Sequence, residues 1–316
     1  MAIYRQALPQ LSGDFFLSDA GLETDLMFNE GIDIPDFATH TLLPKPEGRA
    51  ALARYYRRFL ELAREHKTGY ILETQTWKAH MRWADDLGAT AEDLIRATQE
   101  SAEFAKTLRA EFSNNEGPIV ISGVVGPCGD AYAPEKIFSA DEAEAYHAQQ
   151  IGWLADADVD MVSAFTMTQC GEAIGIVRAA QAAEIPAVIS FTLETDGRLP
   201  TGQPLAEAIS EVDEATGSGA AYFMLNCSHP THFSHVLEDA PWSRRIRGVC
   251  CNASRKSHAE LDQSNELDAG DPAEFGRLHR ELKEKLPWLN VFGGCCGCDF
   301  RHVSEITRAL FPASAP

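Results

Sequence analysis

The sequence predicts a single (β/α)8 barrel, the TIM-barrel class of α/β proteins. Eight short runs of nearly continuous apolar residues recur along the chain, as expected of parallel strands covered on both faces. Helical patterns fill the intervals, and that alternation points to one parallel sheet wrapped by helices. The length of 316 residues suits a barrel of about 250 residues with insertions, so one domain is expected over 1–316. The alternative is an open doubly wound sheet. No G-x-G-x-x-G or phosphate-binding loop follows any of the runs, which weakens a nucleotide-binding version of it.

The expected strands are FFLSDAG (15–21), YILETQT (70–76), IVISGVVG (119–126), DMVSAFT (160–166), AVISFTL (187–193), AYFMLNCS (221–228), IRGVCCNAS (246–254) and NVFGGCCG (290–297). After the first comes a long connection, residues 20–48, a natural place for a substrate lid. A helix over Arg49–His66 follows, with Leu52, Tyr55, Tyr56, Phe59, Leu62 and Ala63 on one face. Residues 91–112 and 140–155 show the same spacing. Ser139 with Glu142 three positions on forms a capping box. Asp271-Pro272 opens a further helix, with proline at its first position.

Composition narrows the function. Apolar residues make up 45% of the chain, so it can bury a sizeable core, and the net charge is −20. Nucleic-acid binding rests on Lys and Arg neutralising phosphates, so no nucleic-acid partner is expected, whereas a cationic small molecule would be welcome. No apolar run approaches the ~20 residues of a membrane-spanning helix, and no secretory leader opens the sequence. A cytoplasmic protein with no membrane partner is expected, and a homo-oligomer is compatible with the sequence. The eight cysteines are then free thiols, some with metal or catalytic use.

In a barrel, chemistry gathers at the C-terminal strand ends. The polar and sulfur residues expected there are Asp19, Glu23, Glu73, Thr74, Thr76, Thr166, Thr192, Glu194, Asn226, Cys227, Asn252, Cys295 and Cys296. Three readings of NVFGGCCGCDF (290–300) stand open. Cys295 and Cys296 could bind zinc with Cys227, because only strand seven separates strands six and eight. Three soft thiolates suit that ion and leave a fourth position free, and Gly293 and Gly294 would let the backbone turn tightly. Cys295-x-x-Cys298 could be a redox pair, but such pairs open a helix of a thioredoxin-like unit. The thiols could also be buried apolar residues, which is the better reading for Cys128 and Cys170. His229, His232 and His235 tempt a metal assignment by their spacing, but they are expected to be surface residues.

Asn226-Cys227 at the end of strand six and Gly293–Gly297 (GGCCG) after strand eight resemble the homocysteine S-methyltransferase family. That family includes the betaine– and S-methylmethionine–homocysteine methyltransferases and the homocysteine module of methionine synthase. The resemblance runs from about Phe16 to Leu310. DAGLET (19–24), Glu73–Thr76 (ETQT) and Gly123–Pro127 (GVVGP) are similar to weaker motifs of the same family. The resemblance implies that Cys227, Cys295 and Cys296 hold Zn2+, with Asn252 as a fourth ligand until thiol arrives. A turn residue is an equal reading of Asn252. It further implies methyl transfer from a small sulfonium or quaternary ammonium donor to a zinc-bound thiolate, with homocysteine giving methionine. Zinc would deprotonate the incoming thiol, so no separate base is needed. Asp19 could meet the acceptor's amino group and Thr74 its carboxylate. Trp77 could stack on a cationic donor, or simply pack. Thr76, Glu194 and Asn226 complete the expected substrate contacts.

The chain departs from the family at strand four. Phe165 stands where a glutamate commonly holds the amino group of homocysteine. Ala20 replaces a glycine, Trp77 a phenylalanine, and NASRKSHAELDQSNELDAGDP (252–272) is unlike the usual segment. Losing an ionic partner for an ammonium costs several kcal/mol. Either Glu23 supplies the acid from another direction or the acceptor lacks the amino group. The alternatives are therefore a methyltransferase or demethylase acting on another small thiol or methylated compound, or a catalytically silent zinc- and thiol-binding barrel.

Overall fold

A computed structural model describes residues 1–114, 116–134, 136–264 and 266–311. Of the expected domain over 1–316, residues 115, 135, 265 and 312–316 lie outside that description. Eight parallel strands close into one ring in chain order: β1 Phe16–Leu17, β2 Gly69–Glu73, β3 Ile119–Val125, β4 Met161–Met167, β5 Ala187–Phe191, β6 Ala220–Asn226, β7 Ile246–Cys251 and β8 Val291–Gly294. This is the expected (β/α)8 architecture. The ring closes where Phe16 pairs with both Gly69 of β2 and Val291 of β8.

The outer layer contains helices Pro46–Glu65, Ala91–Glu111, Ala140–Asp156, Cys170–Ala182, Leu205–Thr216, Pro272–Lys285 and Phe300–Leu310. In the first of these, Leu52, Tyr55, Tyr56, Phe59, Leu62 and Ala63 are all buried, as its periodicity predicts. Ser139 and Glu142 form a reciprocal capping box, and Asp271 caps the helix that begins at Pro272. Between β6 and β7 the only α-helix among the described residues is the single turn Pro230–Phe233. No described helix is long and apolar enough to cross a membrane.

Several expected strands run too far at their C-terminal ends. β1 stops at Leu17 rather than Gly21, because the backbone beyond it bonds to the turn after β8: Gly294 N–H donates to Asp19 O at 2.8 Å and Gly21 N–H to Cys298 O at 3.2 Å. The residues lost from the strands are those that line the mouth.

The ring interior has its own apolar cluster, including Phe16, Ile71, Val120, Met161, Val188, Tyr222 and Val291. The N-terminal segment closes the bottom: Leu8 joins this cluster, and buried Gln10 donates to the Tyr222 hydroxyl at 3.2 Å. Asp160 latches the same segment. Its fully buried carboxylate accepts from the N–H groups of Ile3 (2.6 Å), Tyr4 (3.0 Å) and Ile121 (2.8 Å) and pairs with Arg109 at 2.7 Å. Toward the top the interior turns polar, with contacts Ser18–Glu73 (3.4 Å), Ser122–Ser163 (2.7 Å) and Ser190–Asn226 (2.7 Å).

Candidate metal and substrate site

Two separated segments bring three thiols to the mouth of the ring. Cys227 follows β6, and Cys295 and Cys296 follow β8. Their sulfur atoms lie within 4.8 Å of one another, and Cys227 Sγ is 3.9 Å from Cys296 Sγ. Zinc–sulfur bonds of about 2.3 Å in a tetrahedron separate sulfurs by about 3.8 Å, so this donor set fits a soft tetrahedral ion.

Local backbone geometry makes the convergence possible. Cys227 and Thr166 both have left-handed φ, +52° and +64°, a conformation that non-glycine residues adopt at a cost. The β4–β5 register shifts between Ala164 and Met167, and such an irregularity re-aims the side chain at its centre. Asn226 holds the arrangement. Its Oδ1 accepts from Thr166 N–H (2.9 Å) and Ser190 Oγ (2.7 Å), and its Nδ2 donates to Thr166 Oγ1 (3.0 Å). Gly293 and Gly294 act differently from expectation, since neither has a positive φ. They allow close approach: a Cβ on Gly293 would meet Ser18 Oγ at 2.7 Å, and one on Gly294 would meet Cys298 Cβ at 2.6 Å. The tight turn is made at Gly297, φ +79°.

Each sulfur has a polar neighbour. Thr166 Oγ1 lies 4.0 Å from Cys227 Sγ, Asn226 Nδ2 4.0 Å from Cys295 Sγ, and the Tyr132 hydroxyl 3.7 Å from Cys296 Sγ. Donation from the Cys295 and Cys296 thiols pushes Cys227 well below the usual thiol range. The shared proton correspondingly raises Cys295, and Cys296 to about 12. Burial, then the charge of Cys227, raises the Tyr132 phenol well above its ordinary value, so it remains a donor. Asn252 is buried beside this group. Its Nδ2 donates to Cys227 O at 2.9 Å, while its Oδ1 is buried without a hydrogen-bond partner.

Three carboxylates occupy the β1–β2 side. Asp19 is 4% exposed, and burial, with the Glu23 charge adding to it, raises its carboxyl to about 7. Burial also raises Glu23 and Glu73, Glu23 despite a hydrogen bond from Thr39 Oγ1. Glu23 lies in the Leu22–Thr24 turn, whose Thr24 Oγ1 accepts from Gly297 N–H at 3.1 Å, so this turn packs on the one that carries Cys295 and Cys296. Trp77 packs against the interior cluster that contains Phe165 and Val124. Phe165, 8% exposed, is part of that cluster and faces the ring interior.

The two threonines of β2's extension are otherwise engaged. Thr76 Oγ1 donates to Val124 O at 2.7 Å, and Thr74 Oγ1 accepts from Val124 N–H at 3.0 Å. The hydroxyls also contact each other at 2.7 Å. Their protons are thus committed to tying β2 to β3, and the expected donation from Thr74 to a substrate carboxylate has no free hydrogen. Glu194 is likewise engaged: its Oε1 lies 3.2 Å from His258 Nδ1.

Two residues absent from the sequence expectation enter the site. His258 opens a short helix after β7, and its Nε2 lies 2.7 Å from Cys227 O. Tyr132 stacks on that imidazole, with ring centroids 4.2 Å apart and 19° between planes. Neither lies at a strand end. His229 and His232, expected at the surface, are only 2% and 6% exposed. His229 caps the Pro230–Phe233 turn and His232 Nε2 contacts Arg255 O at 2.8 Å. Burial holds both below the usual histidine range, His229 near 4, so they pack as neutral rings.

An eight-stranded barrel whose C-terminal mouth gathers three thiols and a group of carboxylates has the layout of a barrel enzyme. Residues 16–310 match the family model for homocysteine S-methyltransferase, and the chain belongs to that family. It is accordingly a methyltransferase, of the class that methylates homocysteine. Two solved structures of the homocysteine methyltransferase MmuM from Escherichia coli share the fold. The metallated form is 19% identical with a TM-score of 0.71, covering 95% of this chain and 98% of that one. The oxidized form is 18% identical with a TM-score of 0.71, covering 96% and 98%. No curated protein sequence matches the chain significantly.

Proposed function

We propose that this chain is a zinc-dependent S-methyltransferase, moving a methyl group from a small sulfonium or quaternary ammonium donor to homocysteine and yielding methionine. One observation carries the metal: the three thiols lie within 4.8 Å of one another at the face where barrels do chemistry. Cys227, Cys295 and Cys296 would hold the ion, and Asn252 Oδ1, buried without a partner, is a donor suited to the fourth position. Zinc bound there would keep the acceptor sulfur as a thiolate near neutral pH.

The remaining work falls to the protein. Asn226, Thr166 and Tyr132 surround the sulfurs with polar groups. Asp19, Glu23 and Glu73 are placed to meet the acceptor's ammonium, whose charge would favour their ionised forms against the burial that raises them, replacing the missing acid on β4. Phe165 and Trp77 offer an apolar wall for a cationic methyl donor. The acceptor sulfur forms the new S–CH3 bond as the donor's C–S or C–N bond breaks. The bonding pair leaves with the donor, which becomes neutral, so no proton is needed at the leaving group. Holding sulfur, methyl carbon and leaving atom in line is the main catalytic task. The described barrel would work as one domain, in the cytoplasm, with the oligomeric state as a further variable.

Metal analysis of the purified protein, followed by assays of homocysteine with a panel of cationic donors, tests this reading. Stoichiometric zinc and methionine formation are expected, with activity lost on chelation and restored by zinc. A metal-free protein that transfers methyl groups at full rate would overturn it. Glu23→Ala is expected to raise the KM for homocysteine on the order of tenfold, about 1.4 kcal/mol, while the donor's KM changes little. An unchanged homocysteine KM would instead favour a thiol without the amino group, the acceptor that Phe165 suits.

A further inference from the structure

The three sulfurs are not supported alike. The neighbours of Cys227 and Cys295 are Thr166 on β4 and Asn226 on β6, two strand-end residues locked to each other by two hydrogen bonds. The neighbour of Cys296 is Tyr132, which comes from the connection after β3 and makes the shortest of the three contacts, 3.7 Å. Tyr132 is presented by a small turn in which Asp130 Oδ1 accepts from the N–H groups of Tyr132 (2.8 Å) and Ala133 (2.7 Å). The start of that connection is anchored in turn, since Cys128 N–H donates to buried Glu172 at 2.6 Å and Glu172 pairs with His147 at 2.9 Å.

The Tyr132 ring lies flat on His258. His258 is itself held at both nitrogens, by Glu194 and by the carbonyl of Cys227. Residues from the connections after β3, β5 and β7 thus form one stack against the Cys227–Cys296 edge of the thiol group. Asp19 and Glu73 stand at the ends of β1 and β2, which contribute nothing to this stack.

We infer that Tyr132 is a positioning residue of the metal centre: its phenol donates to the Cys296 thiolate, its stack on His258 fixes that bond, and substrates approach from the β1–β2 side. This rests on the zinc reading above. A hydrogen bond to a ligand thiolate spreads its charge. Removing the bond leaves more charge at the centre, which weakens capture of a further thiolate without making the captured one less nucleophilic.

The test compares Tyr132→Phe, which keeps the ring, with His258→Ala, which removes its support. Zinc dissociation constants are measured by competition with a chromophoric chelator, alongside thiol kinetics and thermal unfolding. Tyr132→Phe should raise the zinc Kd about tenfold, the range seen when groups supporting a metal ligand are lost. It should also raise the thiol KM with kcat undiminished, at an unchanged Tm. His258→Ala should shift the zinc Kd in the same direction, and the double variant should fall short of the sum of the two effects. A Tyr132→Phe protein with zinc Kd and thiol KM within about twofold of wild type would overturn the inference, as would strict additivity. The zinc shifts appearing in a protein that methylates no homocysteine would support this role while removing the homocysteine reading.

Discussion

Cys296→Ser is expected to lose its zinc and, with it, methyl transfer on the order of a thousandfold or more, while the barrel stays folded. Serine is nearly isosteric, but its hydroxyl does not ionise at neutral pH and cannot replace a thiolate. Loss of a group that merely supports a ligand costs about 10–100-fold, and loss of one of three charged ligands exceeds that. Stability should barely change, because Cys296 is only partly buried and is not part of either apolar cluster. Metal analysis after gel filtration, activity and a thermal melt separate these effects. A Cys296→Ser protein that retained full zinc and full activity would remove Cys296 from the ligand set.

Asp160→Ala should show the opposite pattern, a large loss of stability with little direct effect on chemistry. The carboxylate is fully buried and satisfies three backbone N–H groups and the Arg109 guanidinium at once. Alanine would leave the arginine without its partner and the Ile121 N–H buried without an acceptor. Removing one member of a buried pair typically costs about 3–5 kcal/mol. Arg109 is 13% exposed and retains some water, which places the expectation toward the lower end. Urea unfolding would measure it as a fall in midpoint at unchanged slope. A shift of less than about 1 kcal/mol would show that the N-terminal latch contributes little.

The barrel was legible because its strands are covered on both faces. Each reads as a short apolar run, and no run was missed. The strand ends were harder to read, since FFLSDAG remains apolar or small past the point where Asp19 and Gly21 begin bonding to the turn after β8. Spacing alone left three readings of the cysteines open, and the resemblance to the family's two cysteine motifs selected among them; the acids and threonines could be read from their places after strands. The commitments of those side chains could not. Thr74 and Thr76 bond to Val124 of the neighbouring strand, and Glu194 meets His258 from the connection after β7. Tyr132 and His258 escaped for a related reason, because an aromatic stack between residues 126 positions apart leaves no local pattern. His229 and His232 looked like surface residues because their sequence setting is polar, whereas the thin wall between β6 and β7 packs them inward.

The strand that closes the ring is also the last one made. Cys295 and Cys296 follow β8, about seventy residues after Cys227, and β8 pairs with β1 at the other end of the chain. A growing polypeptide on the ribosome therefore carries only one of the three site thiols until β8 has been made. The full claw exists only once β8 has met both β1 and β7, so a captured ion would report that the ring has closed.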